Sequence, residues 1–330
     1  MASKFNYLSI RGGANSSAKE SNKWIFDYLI FIIIALFILI PLSIRAPLQI
    51  SDGDSYVAHA MMDIDIRDSR FYFYPLYWCL AWVGGLIGAL QFPGMLSSLV
   101  SLLIIGASAG LSRSARYIFL ILILLVPSSF NTEYVALRNG VALGMILLGL
   151  ARSSNIWLVS PLFIHPGVLP ITASILFLKY SNFSWKSFSI IIGLIGAILY
   201  VSGGLLEDLI SVRGYEGVEG ANELWFVYIM YALLALFYWM ALRRTQYRWF
   251  LPIMVLLWFI VGAEYSFAWR LFVQVLPISA FILLKYADRE SPYRFVFLCQ
   301  SLLFGLYSAT KWHPFTEYSD GWWGYWMSFF

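Results

Sequence analysis

Residues 156–178 read IWLVSPLFIHPGVLPITASILFL. The stretch carries no Asp, Glu, Lys or Arg, and it has the length of the ~20-residue apolar run that crosses bilayer hydrocarbon. It also holds His165, followed at once by Pro166. A segment in lipid has to satisfy its own backbone, and a proline breaks the helix that would do so. An ionisable ring in such a segment is costly and points to function. Whether the stretch crosses, breaks or re-enters a membrane depends on the rest of the chain.

Hydrophobic residues make up 60% of the 330-residue chain and charged residues only 12%, about half the ~25% usual in soluble domains. Further apolar runs fall at about 24–44, 72–90, 93–111, 117–130, 138–151, 187–206, 224–242, 249–263, 269–286 and 295–309. They are continuous rather than alternating, which favours helices over a barrel. The expected fold is an all-α, polytopic helical membrane protein. It has about 10–12 transmembrane helices in a single domain over residues 24–330. Residues 1–23 are rich in Ser, Asn, Gly and Lys and carry Lys4, Arg11, Lys19 and Lys23. They are expected to be a disordered cytoplasmic N-terminus. The first apolar run is too long for a cleaved signal peptide and reads as an anchor. Cys79 and Cys299 lie in apolar segments and are expected to pack rather than pair. A net charge of +4 gives no reason to expect nucleic acid as a partner.

Loop charge sets the expected orientation. Residues 45–70 form a polar loop with Asp52, Asp54, Asp63, Asp65 and Asp68. Residues 207–223 hold Glu207, Asp208, Glu216, Glu219 and Glu223 against a single Arg213. Both read as external. The basic stretches RRTQYR at 243–248 and 285–294 around Lys285, Arg289 and Arg294 read as cytoplasmic. Strict alternation from the first helix then leaves Arg113 and Arg116 on the wrong side. One segment is therefore expected to be re-entrant or interfacial, either FYFYPLYWCLAW (71–82) or the piece broken at His165–Pro166. GASAG at 106–110 and the glycines 140, 144 and 149 read as close helix packing.

Few ionisable side chains interrupt the apolar runs. Arg138 opens RNGVALGMILLGLAR, His165 follows, and Glu264 and Arg270 bracket EYSFAWR. Asp52 and Asp54 lie in SDGDSY, and Glu133 just precedes Arg138. Each has an ordinary reading as well: arginines near helix ends snorkel to headgroups, Glu264 can pair with Arg270, and SDGDS can be a turn. His59 and His313 carry less weight. The motifs of soluble nucleotide-binding and hydrolytic enzymes are absent.

The order of these residues resembles the O-antigen and exopolysaccharide polymerases of the Wzy type, especially the EpsG-like branch. An external Asp/Tyr segment, SDGDSYVAHAMM, precedes an Arg that opens a small-residue helix, LRNGVALGMILLGL. A Phe-x-His with small residues follows, FIHPGVLPI, and a later Arg opens a near-terminal helix, AWRLFVQVLPI. The resemblance runs from about Asp52 to Pro277. Asn139 stands where the branch usually has Gln, and Pro166 follows the His directly.

The resemblance implies a membrane glycosyltransferase of GT-C-like architecture in the bacterial inner membrane, with its active site facing the periplasm. Such enzymes join oligosaccharide repeat units carried on undecaprenyl pyrophosphate into O-antigen, as in lipopolysaccharide, or exopolysaccharide. Donor and acceptor are both lipid-linked; no metal, nucleotide or other cofactor is expected. A flippase and a chain-length regulator are possible partners.

The residues suit that chemistry. A leaving pyrophosphate needs fixed positive charge, and Arg138 and Arg270 are expected to contact it, since guanidinium groups bind phosphate oxygens bidentately. His165 has an ordinary pKa near 6.5 and suits a general base. Asp54 and Asp52 are rival bases or bind sugar hydroxyls. Tyr56, Trp78, Tyr215 and Trp225 can stack on sugars. Glu133 and Glu264 complete the expected substrate-binding set, and Arg213 with Tyr215 forms an acceptor-recognition element. Three alternatives remain: a GT-C transferase using polyprenyl-phosphate sugars with a metal on Asp52 or Asp54, a lipid-linked oligosaccharide flippase or other transporter, and a membrane acyltransferase that would also use a histidine.

Overall fold

The computed structural model describes residues 25–39, 53–62, 72, 74–125, 137–181, 186, 189, 224–262 and 268–311. Among them every regular element is helical. The α-helices are α1 (Ile25–Leu39), α2 (Gly53–Met61), α3 (Pro75–Ile87), α4 (Phe92–Ser108), α5 (Arg113–Leu125), α6 (Leu137–Arg152), α7 (Asn155–Val159), α8 (Leu169–Tyr180), α9 (Leu224–Ala241), α10 (Phe250–Gly262), α11 (Ala268–Tyr286) and α12 (Pro292–Lys311). The terminus 1–23, the apolar run 187–206 and the acidic loop 207–223 lie outside the described residues.

The expected runs and these helices agree within a few residues, with two differences. The segment 45–70, expected to be a loop, contains α2. Its apolar face explains the helix: Tyr56 and Ala60 are one turn apart and both buried, while Asp54 sits favourably in the first turn. The run 156–178 is not one helix. It is α7, the 3₁₀ turns Ser160–Phe163 and Pro166–Val168, and then α8.

Glycine contacts fix the central packing. A Cβ on Gly144 would lie 2.8 Å from Leu103, and one on Gly110 would lie 3.0 Å from Ala151. The spacing matches along both chains, so α4 and α6 run parallel with their backbones close together, as small residues allow. Lys285, in the last turn of α11, donates to the carbonyls of Leu150 and Ala151. The ends of α6 and α11 therefore lie together. Phe119 meets Phe281 edge-on at 5.3 Å, which sets α5 antiparallel to α11. Gln300 Nε2 donates to the Met230 carbonyl at 3.2 Å while Tyr238 meets Phe297, so α9 and α12 are antiparallel.

These contacts define one end of the bundle, the basal end. The start of α1 is there: Tyr28 donates to the Ile105 carbonyl at 2.9 Å and Asp27 faces Arg113 at 3.3 Å. So are the α4–α5 corner, the last turns of α6, α8 and α11, and the α9–α10 corner, where Tyr247 stacks on Tyr286 at 5.0 Å.

Both segments suspected of re-entry double back. Gly85 closes on the Ala60 carbonyl, and Phe92 meets both Tyr77 and the Gly84 position. Thus α2 and α3 pair across the start of α4, at the far end. The second hairpin leaves the basal end at Asn155 and returns to it, where Lys179 Nζ bonds Asn155 Oδ1 at 2.7 Å and Asn155 Nδ2 donates to Tyr180. Its turn is His165–Val168. The sequence reading expected one of these two segments to be re-entrant or interfacial; in the fold one packs at each end. Arg113 and Arg116 consequently lie at the same end as the start of α1.

One helical stretch among the described residues, the 20-residue Ala89–Ser108, is long and apolar enough to cross a membrane, with mean hydropathy 1.7 over its most apolar 18 residues. Ile25–Leu39, Pro75–Ile87, Pro166–Tyr180, Ile229–Ala241 and Val275–Tyr286 are shorter apolar helices.

Candidate functional site

At the far end, α6 begins with Leu137 and Arg138. The first turn of any helix leaves backbone N–H groups without intrahelical partners. Here the Arg138 N–H donates to Tyr56 Oη, at 3.3 Å. The Arg138 guanidinium carbon lies 5.1 Å from the Tyr74 ring centre and 5.3 Å from that of Tyr77. Aromatic faces attract a cation at such distances. Among the described residues no carboxylate pairs with Arg138.

Behind this cradle stands His59. Its Nδ1 is 2.8 Å from Tyr77 Oη, and its ring meets Trp78 edge-on at 5.2 Å. Tyr77 is buried. The first hairpin thus holds the aromatic wall: α2 supplies Tyr56 and His59, and α3 supplies Tyr77 and Trp78, with Tyr74 just before its first turn.

His165 comes from the other hairpin. Its backbone is extended, its N–H donates to the Pro161 carbonyl at 2.9 Å, and its own carbonyl accepts from Val168 at 3.1 Å. The turn therefore uses the backbone groups beside Pro166, and the imidazole lies against Gly167 of the same turn. Nδ1 is buried without a hydrogen-bond partner. A Cβ on Gly167 would sit 2.6 Å from Nε2, so only glycine leaves the ring its place. Helix α3, whose Tyr77 ring faces Arg138, also packs against the 3₁₀ turn Ser160–Phe163 that leads to His165.

The sequence reading grouped Arg138 and His165 at one site; in the fold Arg138 lies against Tyr74 and Tyr77, and His165 follows the 3₁₀ turn that packs on α3. Asp54 lies nearby in sequence, exposed in the first turn of α2. Tyr56 and Trp78, anticipated as sugar-stacking rings, are buried; Tyr56 serves the first turn of α6 and Trp78 braces His59. Only the backbone of Arg270 is described. It is in the first turn of α11, which packs on α6 and shares its basal end. Asp52, Glu133, Arg213, Tyr215 and Glu264 lie outside the described residues, as does the side chain of Trp225.

His59, Tyr74 and Tyr77 are the functional candidates that sequence reading passed over. The signal was present as i, i+3 pairs: Tyr56 with His59 and Tyr74 with Tyr77. It was hidden because SDGDSY reads as a turn and FYFYPLYW as an interfacial belt.

No protein-family model, curated protein or solved structure matches this chain.

Proposed function

We propose that the chain is a polytopic membrane glycosyltransferase that polymerises lipid-linked oligosaccharide repeat units. The observations that carry this reading are an aromatic-cradled arginine, Arg138, with no carboxylate partner among the described residues, and a half-buried histidine, His165, whose Nδ1 has no hydrogen-bond partner among them.

Exposed apolar side chains support a membrane setting. Phe26, Ile33 and Phe37 on α1, Leu102 on α4, and Phe295 and Leu303 on α12 face outward, where a water-soluble surface would carry charge. Eight described helices, α1, α4, α5, α6, α9, α10, α11 and α12, run between the two ends. In this reading those helices span the membrane, and the α2–α3 and His165 hairpins re-enter it. Arg113, Arg116, Arg152, Lys179, Arg243, Arg244, Lys285, Arg289 and Arg294 all belong to basal corners. The positive-inside rule makes that end cytoplasmic, so the Arg138 end opens to the periplasm of a bacterial inner membrane.

In the proposed reaction an acceptor sugar hydroxyl attacks the anomeric carbon of the donor sugar. The bond from that carbon to the pyrophosphate oxygen breaks, and undecaprenyl pyrophosphate leaves with the electron pair. His165 accepts the hydroxyl proton. Arg138, joined by Arg270 from the first turn of α11, meets the charge gathering on the leaving group, where preorganised charge contributes most. Asp54, exposed on α2, would orient acceptor hydroxyls. The product is a repeat-unit polymer for O-antigen or exopolysaccharide.

The test is a gel of surface polysaccharide from a strain lacking the gene, complemented with wild type, Arg138→Ala or His165→Ala at verified expression. The proposal expects a ladder from wild type and a single capped repeat unit from the variants. A null strain with no repeat unit at the surface would overturn it in favour of an earlier step, such as flipping.

A further inference from the structure

The cradle around Arg138 has a second layer that the proposed reaction does not use. Tyr77 does two things at once. Its ring faces the Arg138 guanidinium at 5.3 Å, and its hydroxyl holds His59 Nδ1 at 2.8 Å. His59 is in turn wedged edge-on against Trp78 at 5.2 Å. Tyr56, on the same helix as His59 and one turn before it, holds the Arg138 backbone N–H. Both the backbone and the side chain of Arg138 are therefore gripped by the α2–α3 hairpin.

The chemistry of that grip is specific. A guanidinium lying on aromatic faces keeps its in-plane N–H donors directed outward. Those donors match two oxygens of one phosphate group. A carboxylate partner would occupy them, and none does so among the described residues. Holding the side chain in advance also lowers the ordering cost when an anion binds.

We infer that His59 and Tyr77 are positioning residues that orient Arg138 to bind the pyrophosphate of a polyprenyl-pyrophosphate lipid. The inference rests on the function proposed above and names the elements that ready its anion site. His59 touches no substrate in this arrangement; it acts through the Tyr77 hydroxyl and ring.

The test uses the full-length chain in lipid nanodiscs and radiolabelled farnesyl pyrophosphate as the probe, with farnesol as the uncharged control. Arg138→Ala is expected to abolish saturable pyrophosphate binding. His59→Ala and Tyr77→Phe are each expected to weaken it about tenfold. Tyr77→Phe keeps the ring and removes only the hydroxyl, so it tests the link without opening the wall. The double variant is expected to bind no more weakly than either single variant, because the two residues act as one unit. His59→Asn, whose amide reaches the position of Nδ1, is expected to restore binding to within about twofold of wild type. Farnesol partitioning should be unchanged throughout.

Wild-type binding by His59→Ala and Tyr77→Phe, with Arg138→Ala impaired, would overturn the positioning role and leave the polymerase reading standing. A parallel loss of farnesol partitioning would overturn it as well, by revealing a general packing defect. Unchanged binding in Arg138→Ala would remove the anion site itself, and with it the basis of the proposed reaction.

Discussion

The two ends of the bundle use the same residue type in opposite ways. At the basal end Arg116, Lys285 and Lys179 donate to backbone carbonyls. Arg116, 2% exposed, donates through Nε to the carbonyls of Ser108 and Leu111 at 3.2 and 3.1 Å and lies over the Tyr28 ring. Lys285 bonds the last carbonyls of α6, and Lys179 bonds the Ser153 carbonyl at 3.0 Å. Helix C-termini expose carbonyls and carry partial negative charge, so these cations complete the fold. At the far end Arg138 sits at a helix N-terminus, where the partial charge is positive and no orphan carbonyl awaits it. It is held by aromatic rings instead. A cation at this position opposes the helix dipole and, among the described residues, meets aromatic faces rather than carbonyls or carboxylates.

Substitutions at the two ends should therefore separate activity from stability. The largest effects are expected at the far end. His165→Ala and Arg138→Ala should each lower polymer formed per folded molecule by about 10²–10³, measured on purified lipid-linked repeat units. Arg138→Lys should fail to recover most of it, since an ammonium cannot reproduce the bidentate fork; full recovery would mean that only a point charge is needed. Gly167→Ala comes next. The new methyl meets Nε2 of His165, and the displaced ring should cost about 10–10² in rate with the melting temperature nearly unchanged. If activity survives, the ring is not held where the reaction needs it.

At the basal end the order reverses. Lys285→Met leaves two carbonyls of α6 unpaired and should lower stability by about 1–3 kcal/mol, read by denaturant titration in detergent. Its activity per folded molecule should match wild type; a drop of tenfold would erase the distinction between the ends. Arg113→Ala is the smallest change. Its side chain is 66% exposed and pairs with Asp27 at 3.3 Å, so stability should move by about 0–1 kcal/mol.

Much of this contrast was legible in the sequence. Arg138 and His165 stood out because ionisable groups in apolar runs are expensive. The small-residue reading of Gly110 and Gly144 matches the close α4–α6 contact. The expectation that one segment turns back rested on Arg113 and Arg116 under the positive-inside rule. What sequence reading missed was short and aromatic. Nine-residue α2 is too brief to show a helical period beside its Asp and Gly turn signals. The roles of Tyr74 and Tyr77 depend on which face of α3 meets α6, and no periodicity encodes a partner helix.

The sequence by itself determined the helical class, the apolar exterior and the two residues worth following, because those depend on composition and on local solvation cost. Only the tertiary structure decided that both ambiguous segments turn back, that Gly167 makes room for the His165 ring, and that His59 stands behind Arg138. Those facts depend on contacts between residues 59 and 77, 56 and 138, and 155 and 179. Each joins segments distant in the chain, and a contact of that kind exists only once the helices have packed.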